Sequence, residues 1–152
     1  MSIQFTHHDL ETAIRLLTAA FLGGLIGFER ESHGKDAGVR TYALVCLGSA
    51  LMMIVSVQIY EAFKGTVSVD PSRIAAQVVS GIGFLGAGAI IREHQIGGVK
   101  GLTTAAGIWA ASGIGLACGM GLYHPAVLTT IFTLLILILF SKLDRFFGGK
   151  DH

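Results

Sequence analysis

Residues 125–142 read PAVLTTIFTLLILILFSK, a run that is aliphatic on every side and carries no charge before its last residue. A helix needs about 20 mostly apolar residues to cross roughly 30 Å of hydrocarbon, and a segment apolar all round suits lipid contact. Working outward from it, four further runs have the same character: Leu10 to Phe28, Thr41 to Phe63, Ile74 to Ile91 and Leu102 to Tyr123. Of the 152 residues, 52% are apolar and only 14% charged, and the mean hydropathy is +0.66. A soluble domain carries about 25% charged residues. The sequence therefore predicts an all-α, polytopic membrane protein, a bundle of about five transmembrane helices forming one domain over 1–152. The first run does not read as a cleaved signal peptide. Its leader holds Asp9 and Glu11 instead of a basic region, and no small-x-small site follows LIGFERE.

Five crossings place the termini on opposite sides. The side of the C-terminus carries Arg30, Lys35, Arg40, Arg92, Lys100, Lys142, Arg145 and Lys150, against Arg15, Lys64 and Arg73 on the other. Positively charged loops stay inside, which predicts a periplasmic N-terminus and a cytoplasmic C-terminus. The net charge of +1 and the lack of a basic stripe exclude nucleic acid as a partner. Cys46 and Cys118 lie inside apolar runs without metal-ligand spacing, as buried, inert thiols do.

Lipid tails give helices no hydrophobic reason to associate, so close approach depends on small residues. The fourth run has Gly107, Ala111, Gly115 and Gly119 at four-residue spacing, and the first has Gly23 and Gly27. The third has Gly81, Gly83, Gly86 and Gly88 on several faces, the pattern of a central helix crowded by neighbours. These stripes predict a tight core of the first four helices, with the fifth outside.

Gly81–Gly86 matches G-x-G-x-x-G letter for letter, but a dinucleotide site needs a preceding strand and a following βαβ unit. Inside a membrane span the glycines signify close packing or a local helix break. The segment from Glu29 to Arg40 is richer. One reading is a solvated loop whose arginines anchor helix ends. The other is a polar cluster joining Glu29, Arg30, Asp36 and Arg40 with Arg92 and Glu93, able to bind a partner, an anion or a cation. Mg²⁺ takes one or two carboxylates and keeps several waters, and Glu29 with Asp36 supply two. At the opposite face, Asp70 or Ser72 caps the third helix. Arg73, Gln77 and Ser80 follow along it, Gln77 either bonding a neighbouring helix or lining an aqueous vestibule. Thr103 and Thr104 open the fourth helix as caps or interhelical hydrogen-bonding groups. The histidines at 7, 8, 33, 94, 124 and 152 fall in loops or at ends, without ligand spacing. No serine or cysteine has an evident base partner, which argues against an intramembrane hydrolase or another enzyme.

RIAAQVVSGIGFLGAGAIIRE, from Arg73 to Glu93, followed by VKGLTTAA from Val99, closely resembles the MgtC/SapB family of bacterial membrane proteins. The segments GFERE and AGVRTYALVCLGSAL, between Gly27 and Leu51, resemble its other signature. The resemblance implies a multi-pass protein of the bacterial inner membrane, linked in its members to growth in low magnesium and to virulence inside macrophages. Some members are described as inhibiting the F-type ATP synthase through membrane contacts. Better-known members continue into a cytoplasmic domain, so the resemblance is to a short form. Some virulence-linked members have asparagine and cysteine where Thr103 and Ala110 stand. The resulting expectation is a regulatory protein acting on other inner-membrane proteins, surrounded by membrane lipid and forming a homo-oligomer such as a dimer. The alternative is a transporter or channel for Mg²⁺ or another small ion. Mg²⁺ is the one cofactor either reading invites.

Overall fold

The computed structural model describes the backbone over residues 7–66, 68–92 and 100–147, and side chains over 8–66, 68–90 and 100–141. Among these residues the chain forms five helices: α1 (His7–Ser32), α2 (Val39–Phe63), α3 (Ser72–Arg92), α4 (Leu102–Gly119) and α5 (Tyr123–Phe147). Each contains a stretch long and apolar enough to cross a membrane.

Specific contacts fix how they run. A Cβ on Gly23 would meet the Tyr42 carbonyl at 2.5 Å, and one on Gly27 would meet Val39 Cα at 2.6 Å, so α1 and α2 lie antiparallel with their backbones touching. On α4, Gly107 faces the Tyr42 hydroxyl, Gly115 the Cys46 carbonyl and Gly119 the Ala50 carbonyl. Successive turns of α4 thus follow successive turns of α2 in the same direction. Tyr42 Oη donates to the Thr104 carbonyl at 3.3 Å, and Cys46 Sγ to the Ala111 carbonyl at 3.0 Å. Such interhelical bonds contribute about 0.6 kcal/mol each in a membrane, so the bare backbone seam between α2 and α4 matters more than either bond.

The core is therefore α1, α2 and α4, built on Ala19, Leu22, Ile26, Tyr42, Cys46, Ala50, Ile108, Ala111, Ile114 and Cys118. This corrects the expectation of a central third helix. α3 sits at the edge, burying Ile82 and Gly86 while Gly81, Gly83 and Gly88 have nothing within 4 Å of where a Cβ would stand. Only Gly86 of these four has a neighbour there, Ala105 of α4. Glycines make close approach possible without demanding it, so their spread over several faces did not identify a crowded helix. Nor does the glycine run break α3, which is helical from Ser72 to Arg92. α5 is outside as expected, meeting the core through Ala126 and Leu137.

The fourth helix ends at Gly119, short of the expected Tyr123. Gly121 adopts φ +81, and the amides of Gly121 and Leu122 donate to the carbonyls of Cys118 and Ala117 at 2.9 and 2.8 Å. This six-residue closure needs a left-handed residue, which glycine supplies without steric cost. α5 then begins at Tyr123 with Pro125 in its first turn, where the missing amide leaves no intrahelical bond unmade.

Candidate functional site

The end of the bundle where α1 stops and α4 starts holds a cavity of about 680 Å³. α1 contributes Glu29 and Arg30, and His33 and Lys35 follow in the loop. The α4 start contributes Lys100, Gly101, Leu102, Thr103 and Thr104, and α5 closes the cavity with Ile136, Leu137, Phe140 and Ser141. Glu29 and Arg30 belong to the last turn of α1, yet they are only 7% and 5% exposed. Glu29 Oε2 stands 3.8 Å from Arg30 Nη1, beyond hydrogen-bonding range, and among the described residues neither carboxylate oxygen has a hydrogen-bond partner. Arg30 Nε is likewise buried and unpartnered. His33 Nδ1 lies 3.1 Å from Glu29 Oε1, but its hydrogen-bonding geometry favours the Glu29 main-chain carbonyl at 2.9 Å. His33, which the sequence places in a loop without ligand spacing, thus lies against Glu29, the one acidic side chain that lines the cavity among the described residues.

The two helix starts at this end differ. At α2 the N-cap is Gly38, which has no side chain to accept from the first amides, and Glu31 of the preceding helix reaches over to accept from the Val39 amide at 2.9 Å. At α4 the N-cap is Gly101, with φ +88 and no side-chain cap. A Cβ there would meet the Ala89 carbonyl at 2.9 Å, so the end of α3 rests directly on this glycine. The first amides of α4 have no intrahelical acceptor, and Lys100, Thr103 and the buried Arg30 line the same cavity as this helix start.

The expected cluster is only partly assembled. Glu29 and Arg30 meet. Asp36 lines a separate recess of about 260 Å³ between α2, α3 and α4, on the far side of Thr104. Arg40 is exposed. The Arg92 side chain and Glu93 lie outside the described residues. Asp36 and Arg40 are carried away because the chain turns at Gly34 and starts α2 in the opposite direction. Thr104 is buried at 5% exposure and borders both recesses, whereas Thr103 is exposed and faces the first.

At the other end of the bundle, Asp70 Oδ1 accepts from the Ser72 amide at 2.8 Å and the Ser72 hydroxyl at 2.7 Å, steadying the start of α3. These bonds hold its carboxyl below the usual aspartate range, helped by the nearby Arg73. Arg15, counted from the sequence only among the charges on the side of the N-terminus, lies within α1. Its guanidinium Nη1 donates to the Gly119 carbonyl at 2.8 Å and Nη2 pairs with Glu11. A cation is thereby set against the negative pole of α4. An arginine one turn after a glutamate was the available signal, but the glycine carbonyl it reaches is 104 residues away.

Arg73, Gln77, Ser80, Gly83, Phe84 and Gly88 are exposed along the outer side of α3, Phe84 at 84%. This face carries polar side chains and bare backbone at membrane depth, where a lipid-facing helix is ordinarily aliphatic.

Five apolar helices around a backbone-tight core, with a charged cavity at one end and a glycine-rich outer face, define a multi-pass membrane protein. Within that class, the family model of the MgtC family matches residues 16–146, and the chain belongs to that family. It is 47% identical over 144 residues to the Escherichia coli K12 protein named "Putative magnesium transporter YhiD", an alignment covering 93% of this chain and 66% of that one. It is 44% identical over 127 residues to "Protein MgtC" of Brucella abortus strain 2308, covering 82% of this chain and 49% of the relative. An uncharacterized Haemophilus influenzae protein is 42% identical over 141 residues, covering 91% and 59%. The chain thus spans about half to two thirds of the length of these curated relatives. No solved structure matches it.

Proposed function

We propose that this protein is a regulator in the bacterial inner membrane, tied to magnesium balance, that acts by docking other membrane proteins on the outer face of α3 and catalyses no reaction. The observation that carries the reading is the exposure of Gln77 and Ser80 beside Gly83 and Gly88, with open space above both glycines. In a bilayer, polar side chains gain from a protein partner, and glycines let a second backbone come close. A second copy of the chain and other inner-membrane proteins, the F-type ATP synthase among them, are the partners this reading covers. The link to magnesium rests on family membership and on the name carried by YhiD.

A transporter or channel for Mg²⁺ is the second reading, favoured by Glu29, a cavity-lining residue whose two buried oxygens have no hydrogen-bond partner among the described residues. Against it, the described acidic residues all lie near helix ends or in loops. Unbroken α3 offers no unwound carbonyls of the kind that broken transporter helices use. Purified protein in liposomes with a trapped Mg²⁺ indicator separates the two. The regulatory reading expects no protein-dependent entry, together with crosslinking of a Ser80→Cys variant to a membrane partner in cells. Entry that Glu29→Gln abolishes, without such a crosslink, would establish transport instead.

A further inference from the structure

We infer that the cavity between α1, α4 and α5 is a binding site for a phosphate-bearing anion, and that its natural occupant is the headgroup of an anionic phospholipid. Among the described residues, three cations, Arg30, Lys35 and Lys100, line the cavity against one carboxylate, Glu29. They gather at the start of α4, whose first amides and positive pole point the same way. Like charges collected at a positive helix end repel one another unless an anion sits between them. Arg30 supplies an independent sign of a ligand: it is 5% exposed, lines the cavity, and its Nε has no hydrogen-bond partner among the described residues. A buried guanidinium donor left unbonded is costly, and a phosphate oxygen is the acceptor its geometry suits.

Glu29 does not turn the site into one for a cation. Its carboxylate already has Arg30 at 3.8 Å and His33 at 3.1 Å, so an entering Mg²⁺ would have to approach between two basic groups. The opposite wall selects the source of the phosphate. Ile136 and Phe140 of α5 are 56% and 59% exposed while bordering the same cavity. They provide a continuous apolar path from the charged groups to the outside of the bundle. A free phosphate has no use for that path, whereas acyl chains do.

The test is native mass spectrometry of the full chain in mild detergent, titrated with phosphatidylglycerol, phosphatidylcholine or inorganic phosphate. The expected result is one phosphatidylglycerol per chain, held about tenfold more tightly than phosphatidylcholine and not displaced by millimolar phosphate. Lys35→Ala with Lys100→Ala should weaken retention about tenfold, because each charge-assisted bond to phosphate is among the stronger kinds. Both lysines are exposed, so the double variant should fold. Arg40→Ala removes an exposed cation at the same end but outside the cavity and should change nothing. Equal retention of the two lipids, or loss with Arg40→Ala as large as with the lysine pair, would overturn the site. Displacement by inorganic phosphate would overturn the lipid assignment. These outcomes test the cavity, and the Ser80→Cys crosslink tests the α3 face separately.

Discussion

Arg15 Nη1 donates to the main-chain carbonyl of Gly119 at 2.8 Å, joining the beginning of α1 to the last turn of α4 across 104 residues of sequence. The bond is charge-assisted, partly buried, and set at the negative end of a helix. Arg15→Ala should lower stability by about 2 kcal/mol, and Arg15→Lys should recover part of this. Thermal unfolding of both variants in one detergent checks the order.

The α2–α4 seam admits no added carbon. At Gly115 a Cβ would overlap the Cys46 carbonyl and stand 2.8 Å from Ser49 Cβ. Gly115→Ala should cost about 1–3 kcal/mol by overpacking, and Ala111→Leu, at a fully buried position, should prevent assembly of the bundle. Gly113 lies on the same helix with nothing within 4 Å. Gly113→Ala should therefore be neutral, or stabilising by up to about 1 kcal/mol. Sizing in mild detergent and chemical unfolding of the three variants measure the contrast.

On α3 the expectation is reversed. Gly83→Leu and Gly88→Leu add bulk where the chain itself has open space. Folding of the isolated protein should be unchanged while crosslinking through Ser80→Cys is lost. Simultaneous loss of folding would place these glycines inside the bundle and remove the case for an outer docking face.

Glu29 and Arg30 form a loose buried pair at 3.8 Å. Glu29→Gln removes the countercharge and should destabilise by about 3 kcal/mol, the lower part of the range for breaking buried pairs. The double variant Glu29→Gln with Arg30→Met should regain stability relative to Glu29→Gln alone. A double-mutant cycle on unfolding free energies reads the coupling.

Asp70 is an exposed carboxylate whose pKa is depressed chiefly by its two hydrogen bonds from Ser72. A depressed folded-state pKa means that its contribution is complete above the unfolded value, near 4, and is lost as pH falls through the folded one. Below about pH 4 the first turn of α3 should fray. Amide exchange at Arg73 and Ile74 should rise with acidity there, and Asp70→Asn should flatten that dependence.

Much of the architecture was legible in the sequence because a membrane span is a matter of length and apolarity, both local properties. All five runs are helices, and the four-residue stripe from Gly107 to Gly119 faces α2 because it leaves one side of α4 bare. The position of α3 was not legible. Whether a glycine faces a neighbour or open space depends on which helices flank it, and Gly83 and Gly86 look alike as letters. The candidate site divided in the same way. Glu29 and Arg30 are adjacent in sequence and remain together. Asp36 and Arg40 are separated from them by the turn at Gly34, and the partners that complete the cavity come from Lys100 and from α5, more than 60 residues on.

Gly101 has so far figured as a helix start and as a close contact. It is also the point where the two surfaces of interest share a backbone, since the last turn of α3, at Ala89 and Ile90, rests against it while the cavity opens just beyond. With no side chain between them to yield, a shift of α3 by even an ångström must be taken up by the first turn of α4. A partner gripping the outer side of α3, as proposed above, would therefore pull on the start of α4, and an anion held in the cavity would resist that pull. On the two proposals made above, Gly101 would work as a coupling pin, through which occupancy at one end of the bundle and association along its flank each set the ease of the other.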